Sequence, residues 1–206
     1  MKKTKLLIVD DHAIFRRGLA SLLNTVREFS VIGEADDGKT AISRVDELNP
    51  DIVIMDLMMP VLDGASATVE ILQRHPEMKI LILTTFGSFN GLATALKSGA
   101  AGALLKNVDN DDLVRALQDI ACGKVVIAPE IRQILKDDPP TPELSKRQQE
   151  ILDLLIKGRT NGEIAEQLAL QEDSIKKVVN AIFEKIGARN RAEAVAIALR
   201  KHLLKI

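Results

Sequence analysis

The chain has 206 residues, 46% hydrophobic and 28% charged, an ordinary composition for a soluble globular protein of one or two domains. No apolar run approaches the ~18 residues of a membrane span, and the basic start Met1-Lys2-Lys3-Thr4-Lys5 meets only Leu6 to Val9 before Asp10-Asp11, too short for a signal peptide, so a cytoplasmic protein without a membrane partner is expected. The single cysteine excludes an internal disulfide, and the net charge of −1 hides an asymmetry: residues 144–206 carry 12 Lys/Arg against 8 Asp/Glu, which points that segment alone toward a polyanion.

Residues 5–10 read as a buried strand, and 13–23 follow with Ile14, Phe15, Leu19, Leu22 and Leu23 at helical spacing. A second strand spans 29–35, and Gly38 opens a helix with Ala41, Ile42, Val45 and Leu48. The third strand is Ile52-Val53-Ile54-Met55, an unbroken apolar run that suits burial on both faces, and it ends in Asp56. Asp63-Gly64 leads into a helix that Pro76 stops. Residues 79–84 are the fourth strand, a helix with Leu92, Ala95 and Leu96 follows, and 102–105 are the fifth strand. A fifth helix runs over 109–122, carrying Leu113, Leu117 and Ile120 on one side; Cys122 at its end reads as a small core hydrophobe. Five strands alternating with five helices call for a doubly wound five-stranded parallel sheet covered on both faces, closing near residue 123.

Residues 124–143 read as a linker. Pro129 suits the first turn of a short helix, and Lys136-Asp137-Asp138-Pro139-Pro140-Thr141-Pro142-Glu143 has the composition of an extended, semi-rigid spacer. Residues 144–206 contain no strand-like run. Ser145-Lys146-Arg147-Gln148 and Thr160-Asn161-Gly162-Glu163 have capping-box spacing, each ahead of an apolar stripe. Ile175, Val178, Val179, Ile182, Phe183 and Ile186 mark a third helix that Gly187 stops, and Asn190-Arg191-Ala192-Glu193 caps a fourth. The segment is an all-α four-helix bundle.

The strand order of a doubly wound sheet brings the ends of strands one, three and four together. Those ends carry Asp10-Asp11, Asp56 and Thr84, and strand five ends in Lys106. Three carboxylates in one cleft repel unless a cation lies among them or each is solvated, and hard oxygen ligands favour Mg²⁺. A lysine and a hydroxyl facing them would hold phosphate oxygens, so phosphoryl transfer onto Asp56 is the chemistry this set suits.

The pattern Asp10-Asp11…Asp56-x-x-x-Pro60-x-x-Gly64…Thr84…Lys106 resembles the flavodoxin-like receiver domain of two-component response regulators over residues 4–123. The resemblance implies that Asp56 is the phosphoacceptor, that Asp10, Asp11, Asp56 and the Met58 backbone carbonyl hold Mg²⁺, and that Thr84 and Lys106 contact the phosphoryl group. It implies a cognate histidine kinase as partner and no enzyme activity beyond self-phosphorylation and self-dephosphorylation. Asn107 stands where many receivers have proline, leaving that peptide's geometry open. Ala103 stands where many carry an aromatic switch, so any such toggle is absent or comes from elsewhere, with Phe86 and Phe89 the candidates; core packing is the alternative for both. Met58 and Phe86 flank the site and should hinder water, which suggests a long-lived phosphorylated state.

In the bundle, Glu163 to Leu168 and the helix from Glu172 are joined through Ala169-Leu170 at helix-turn-helix spacing. Residues Leu144 to Leu152, Gly158 to Leu168, Ile175-Lys176 and Arg191 to Val195 are similar to the LuxR-type DNA-binding domain, and the two domains together to the NarL/FixJ class. That resemblance implies that Lys176, Lys177 and Asn180 face the major groove of double-stranded DNA. Thr160, Asn161, Arg189 and Arg191 become candidates for phosphate or loop contacts, and the final helix for homodimerisation. Three positions depart from the pattern: Gln171 at the helix cap, and Val178 and Gly162 near the DNA. Two readings of the whole follow. One is a transcription regulator controlled by phosphorylation of Asp56; the other is a switch whose bundle binds a protein instead of DNA.

Overall fold

A computed structural model describes residues 3–85, 89–137, 144–200 and 203. It divides into two compact units, 1–139 and 140–206.

The first unit is built on β1 (Thr4–Val9), β2 (Phe29–Ala35), β3 (Ile52–Met55), β4 (Lys79–Thr84), β5 (Gly102–Leu105) and β6 (Val126–Ile127). All adjacent pairs are parallel, in the order β2-β1-β3-β4-β5-β6. Strand residues alternate between two cores, as a period of two requires. Leu7, Val9, Val53, Met55, Ile80 and Ile82 pack on one face against α2 (Gly38–Leu48), α3 (Gly64–Arg74), α4 (Phe89–Lys97) and α6 (Pro129–Asp137). Leu6, Ile8, Ile52, Ile54, Leu81 and Leu83 pack on the other against α1 (Ala13–Thr25) and α5 (Asn110–Ala121). Asp37 and Asp63 cap α2 and α3 by accepting the Thr40 and Ser66 N–H groups, both at 2.8 Å.

The sheet has six strands where five were expected, and the stretch 124–143 expected as a linker divides. Its first part belongs to the sheet: Val126 N–H donates to the Ala101 carbonyl and Ala128 N–H to that of Ala103, both at 3.0 Å. Ile131 on α6 is fully buried in the core that holds α2 and α3. A two-residue strand leaves no periodic trace in a sequence, yet it covers the otherwise open edge of β5. Of the proline-rich stretch, 138–143 lie outside the described residues. Cys122 is exposed rather than in the core, because it follows the last turn of α5 beyond the apolar stripe.

The second unit packs α7 (Lys146–Ile156), α8 (Asn161–Gln167), α9 (Glu172–Ile186) and α10 (Arg191–Arg200) around Ile151, Leu152, Leu155, Ile164, Ile175, Val179, Ile182 and Ala198. Both capping boxes close, with Ser145 and Gln148 on α7 and Thr160 and Glu163 on α8. Gln171 makes no side-chain cap on α9. The turn between α8 and α9 passes through Ala169 at φ 51°, left-handed backbone that glycine adopts more readily. Among the described residues, no helix is long and apolar enough to cross a membrane.

Candidate functional site

The winding of the sheet reverses between β1 and β3, and ligands of open α/β sheets collect at that reversal. Val9 pairs with Met55, so the next residues, Asp10 and Asp56, leave the sheet side by side. Thr84 ends the neighbouring β4, and the Lys106 N–H donates to its carbonyl at 2.8 Å. Asp10, Asp56 and Thr84 are buried. Asp11 stands at the rim, and the Lys106 side chain is 13% exposed. Lys106 is followed by a trans peptide to Asn107.

Lys106 Nζ lies 2.7 Å from Asp10 Oδ2 and 2.7 Å from Asp56 Oδ2. It also lies 4.9 Å from the centre of the Phe15 ring on α1, within cation–π range. Asp56 Oδ1 accepts the Leu57 N–H at 2.7 Å. His12 donates its N–H to Asp10 Oδ1 at 2.9 Å, and its ring Nδ1 lies 2.7 Å from Asp11 Oδ1. Burial pushes the Asp56 carboxyl above the ordinary carboxylate range; the ammonium of Lys106 opposes this and the charge of Asp10 adds to it. Burial also works against the charge on Lys106, but its bonds to Asp10 and Asp56 outweigh that and hold its pKa above the usual lysine value.

Ligand atoms of Asp10, Asp11, His12 and Asp56 all lie within 4.8 Å of one another. One ammonium cannot balance three carboxylates. The remaining double negative charge is what one divalent cation would balance, and the carboxylate set suits hard Mg²⁺. Gly64 lets the start of α3 close on this loop: its N–H donates to the Leu57 carbonyl at 3.0 Å, and a Cβ there would fall 1.8 Å from the Asp56 carbonyl oxygen. Ala103, at the expected switch position, is fully buried in the core. Met58 is exposed. Phe86 lies outside the described residues, as does the side chain of Phe89.

In the second unit, Lys176, Lys177 and Asn180 share the exposed side of α9. Lys176 is not idle there. Its Nζ lies 3.3 Å from Glu172 and 3.5 Å from Asp173, and the Glu172 bond leads in raising its pKa. Lys177 lines a shallow, largely apolar groove with Ser145, Arg147, Gln148, Val178 and Ala181. Thr160 caps α8: its N–H and hydroxyl donate to Glu163 Oε2 at 2.7 and 3.0 Å. Asn161 is half-buried in the first turn of α8, and Arg189 is exposed. Arg191, expected among the phosphate contacts, donates from Nη2 to the carbonyls of Leu155 and Arg159 at 2.7 and 2.6 Å. Leu155 lies in the last turn of α7 and Arg159 in the loop that follows it, so a guanidinium that starts α10 ties that helix to the end of α7.

Two family patterns match the chain. Residues 6–118 match the response regulator receiver domain, and residues 142–198 match the bacterial regulatory proteins of the luxR family. The chain is a response regulator. Among relatives of this response regulator, the transcriptional regulatory protein DegU of Brevibacillus brevis is 31% identical over 227 residues, covering 99% of this chain and 96% of its own length. The response regulator protein VraR of Staphylococcus aureus (strain NCTC 8325 / PS 47) is 35% identical, covering 98% and 99%. A solved structure of two RcsB dimers bound to two parallel DNAs is similar at TM-score 0.66 and 25% identity, covering 97% of this chain and 99% of that one.

Three residues of the response regulator's acidic site escape a reading by strand ends alone: His12, Phe15 and Arg16. All three sit at the start of α1. Their signal in the sequence is adjacency to Asp10-Asp11, but only the fold turns the Phe15 ring under Lys106 and the Arg16 guanidinium onto the Asp10 carbonyl.

Proposed function

We propose that Asp56 is the phosphoacceptor of a receiver that controls sequence-specific DNA binding by the bundle, and so transcription, in the cytoplasm. The observation that carries the reading is the buried contact of one ammonium, Lys106, with Asp10 and Asp56 at 2.7 Å each beside a third carboxylate. A histidine kinase or small phosphodonor would present its phosphorus in line with an Asp56 carboxylate oxygen. The oxygen–phosphorus bond forms as the donor's bond to phosphorus breaks, and the leaving group departs with that electron pair. Lys106 exchanges Asp56 for the phosphoryl oxygens. The Thr84 hydroxyl, 3.5 Å from the Thr85 carbonyl, has a weak partner to give up for the same group. Mg²⁺, held by Asp10, Asp11, Asp56 and the Met58 carbonyl, would neutralise charge developing on the phosphoryl group. Attack by water on the phosphorus breaks its bond to the Asp56 oxygen and releases inorganic phosphate, so self-phosphorylation and self-dephosphorylation are the whole of the chemistry.

The output is DNA binding as a homodimer. Lys176, Lys177 and Asn180 offer donors to base edges and phosphates, with Thr160, Asn161 and Arg189 at the flanks and Arg191 as the clamp that holds α10. Exposed Leu199 on α10 supports self-association there. The apolar groove of Val178 and Ala181 beside α7 favours a second reading, in which the bundle binds a protein.

Sequencing of genomic fragments retained by the purified protein, with and without beryllofluoride and Mg²⁺, separates these. An inverted repeat enriched by the phosphoryl mimic and lost in Asp56→Asn supports the first reading. Equal retention in both states sinks control by phosphorylation. No retention in either state sinks DNA binding and favours the protein partner.

A further inference from the structure

We propose that Arg16 is a positioning residue for the acidic pair Asp10-Asp11 and thereby sets the divalent-cation affinity of the receiver. The inference rests on the Mg²⁺-dependent phosphoacceptor reading above. Arg16 lies one turn into α1, with its side chain 14% exposed. Its Nη1 donates to the Asp10 backbone carbonyl, and its Nε donates to Glu34 Oε2 on β2 at 2.9 Å. The guanidinium therefore spans the loop after β1 and the neighbouring strand. On its other side, Asp10 donates its N–H to the Ala35 carbonyl of β2 at 3.1 Å. Both ends of the Asp10 backbone are thus referred to the same strand.

The held carbonyl belongs to the peptide that joins Asp10 to Asp11. Rotation of that peptide would swing the Asp11 carboxylate relative to the Asp10 carboxylate. The Asp10 side chain has other anchors, the His12 N–H at 2.9 Å and Lys106 at 2.7 Å. The Asp11 carboxylate is at the rim, where the His12 ring at 2.7 Å is an exposed partner. The orientation of Asp11 therefore depends on the peptide behind it. A small cation with near-octahedral demands and ligand distances of ~2.0–2.1 Å is sensitive to such a swing. The Glu34 carboxylate also offsets the charge of Arg16, so the guanidinium acts by geometry without repelling a cation through its own charge. Partners one layer behind a metal's ligands are worth roughly 10–100-fold in affinity when removed.

The test is Mg²⁺ titration of the full, phosphate-free chain by calorimetry, since the sequence has no Trp or Tyr to report binding by fluorescence. Arg16→Ala is expected to weaken Mg²⁺ binding by about tenfold or more. Its phosphate uptake from acetyl phosphate should be slow at low Mg²⁺ and recover at saturating Mg²⁺. General damage to the fold would lower uptake at every Mg²⁺ concentration. Arg16→Lys keeps the charge but not the fork, and is expected to bind more weakly than wild type and more tightly than Arg16→Ala. Wild-type Mg²⁺ affinity in folded Arg16→Ala overturns the inference. If Arg16→Ala does not fold, wild-type affinity in Arg16→Lys overturns it. Failure of the wild-type chain itself to take up Mg²⁺ and phosphate would instead sink the phosphoacceptor reading.

Discussion

Gly64 and Asp153 illustrate opposite constraints on single residues. At Gly64 the constraint is space. A methyl group 1.8 Å from the Asp56 carbonyl oxygen meets backbone, which cannot yield as a side chain does. Gly64→Ala should cost about 1–3 kcal/mol in a urea titration, and should slow phosphate uptake because the Asp56 loop must move. At Asp153 the constraint is solvation. Among the described residues its Oδ1 is a buried oxygen without a hydrogen-bond partner, and burial raises its pKa while Lys157 opposes the shift. A carboxyl whose folded pKa is raised makes the fold relatively more stable below that pKa and less stable as pH rises through it. Asp153→Ala should therefore stabilise the bundle at neutral pH, by about 1 kcal/mol. The gain should shrink as wild type is titrated into acid. The same gain at pH 3 and pH 7 would show that helix propensity alone is responsible.

At the level of whole helices, the carboxylate caps have the opposite pH sign. The Thr40 N–H leads in lowering the pKa of Asp37 at the start of α2, and the Thr160 N–H leads in lowering that of Glu163 in α8. Groups with depressed folded pKa values contribute stability that is complete above the ordinary carboxylate range. That stability is lost as pH falls through the folded value. Asp37→Ala should cost about 1 kcal/mol at neutral pH, and the difference from wild type should vanish in acid, as read from thermal melts across the pH range. The Thr160–Glu163 cap was legible because a capping box is a local pattern, a short polar residue followed three positions later by its partner; the Asp37 cap was shown by the structure. The same locality made the turn at Gly187 readable, and its φ is positive. The short β6 was not legible, since a strand of two residues is too short to show a period.

For the molecule as a whole, the two units have separate cores, and the first does not end where its fifth helix does. Removing β6 and α6 would strip Ile131 from the interior and open the edge of β5. A chain ending at residue 123 should be less stable than one ending at 137 by at least about 2 kcal/mol, measurable by urea unfolding of the two fragments. Equal stability would mean that α6 merely rests on the sheet.

The order of strands and helices, their alternation and the acids that end the strands were determined by the sequence itself, because apolar period and loop chemistry are local properties. So was the membership of Asp10, Asp11, Asp56, Thr84 and Lys106 in one set, once parallel winding was accepted. Tertiary structure alone decided which donors meet which acceptors. It tied Arg191 on α10 to the end of α7, engaged Lys176 with Glu172 and Asp173, and set Phe15 and Arg16 against the acidic site. The physical reason is reach: a long charged side chain finds its partner across space, and its neighbours in space are fixed only when the elements pack.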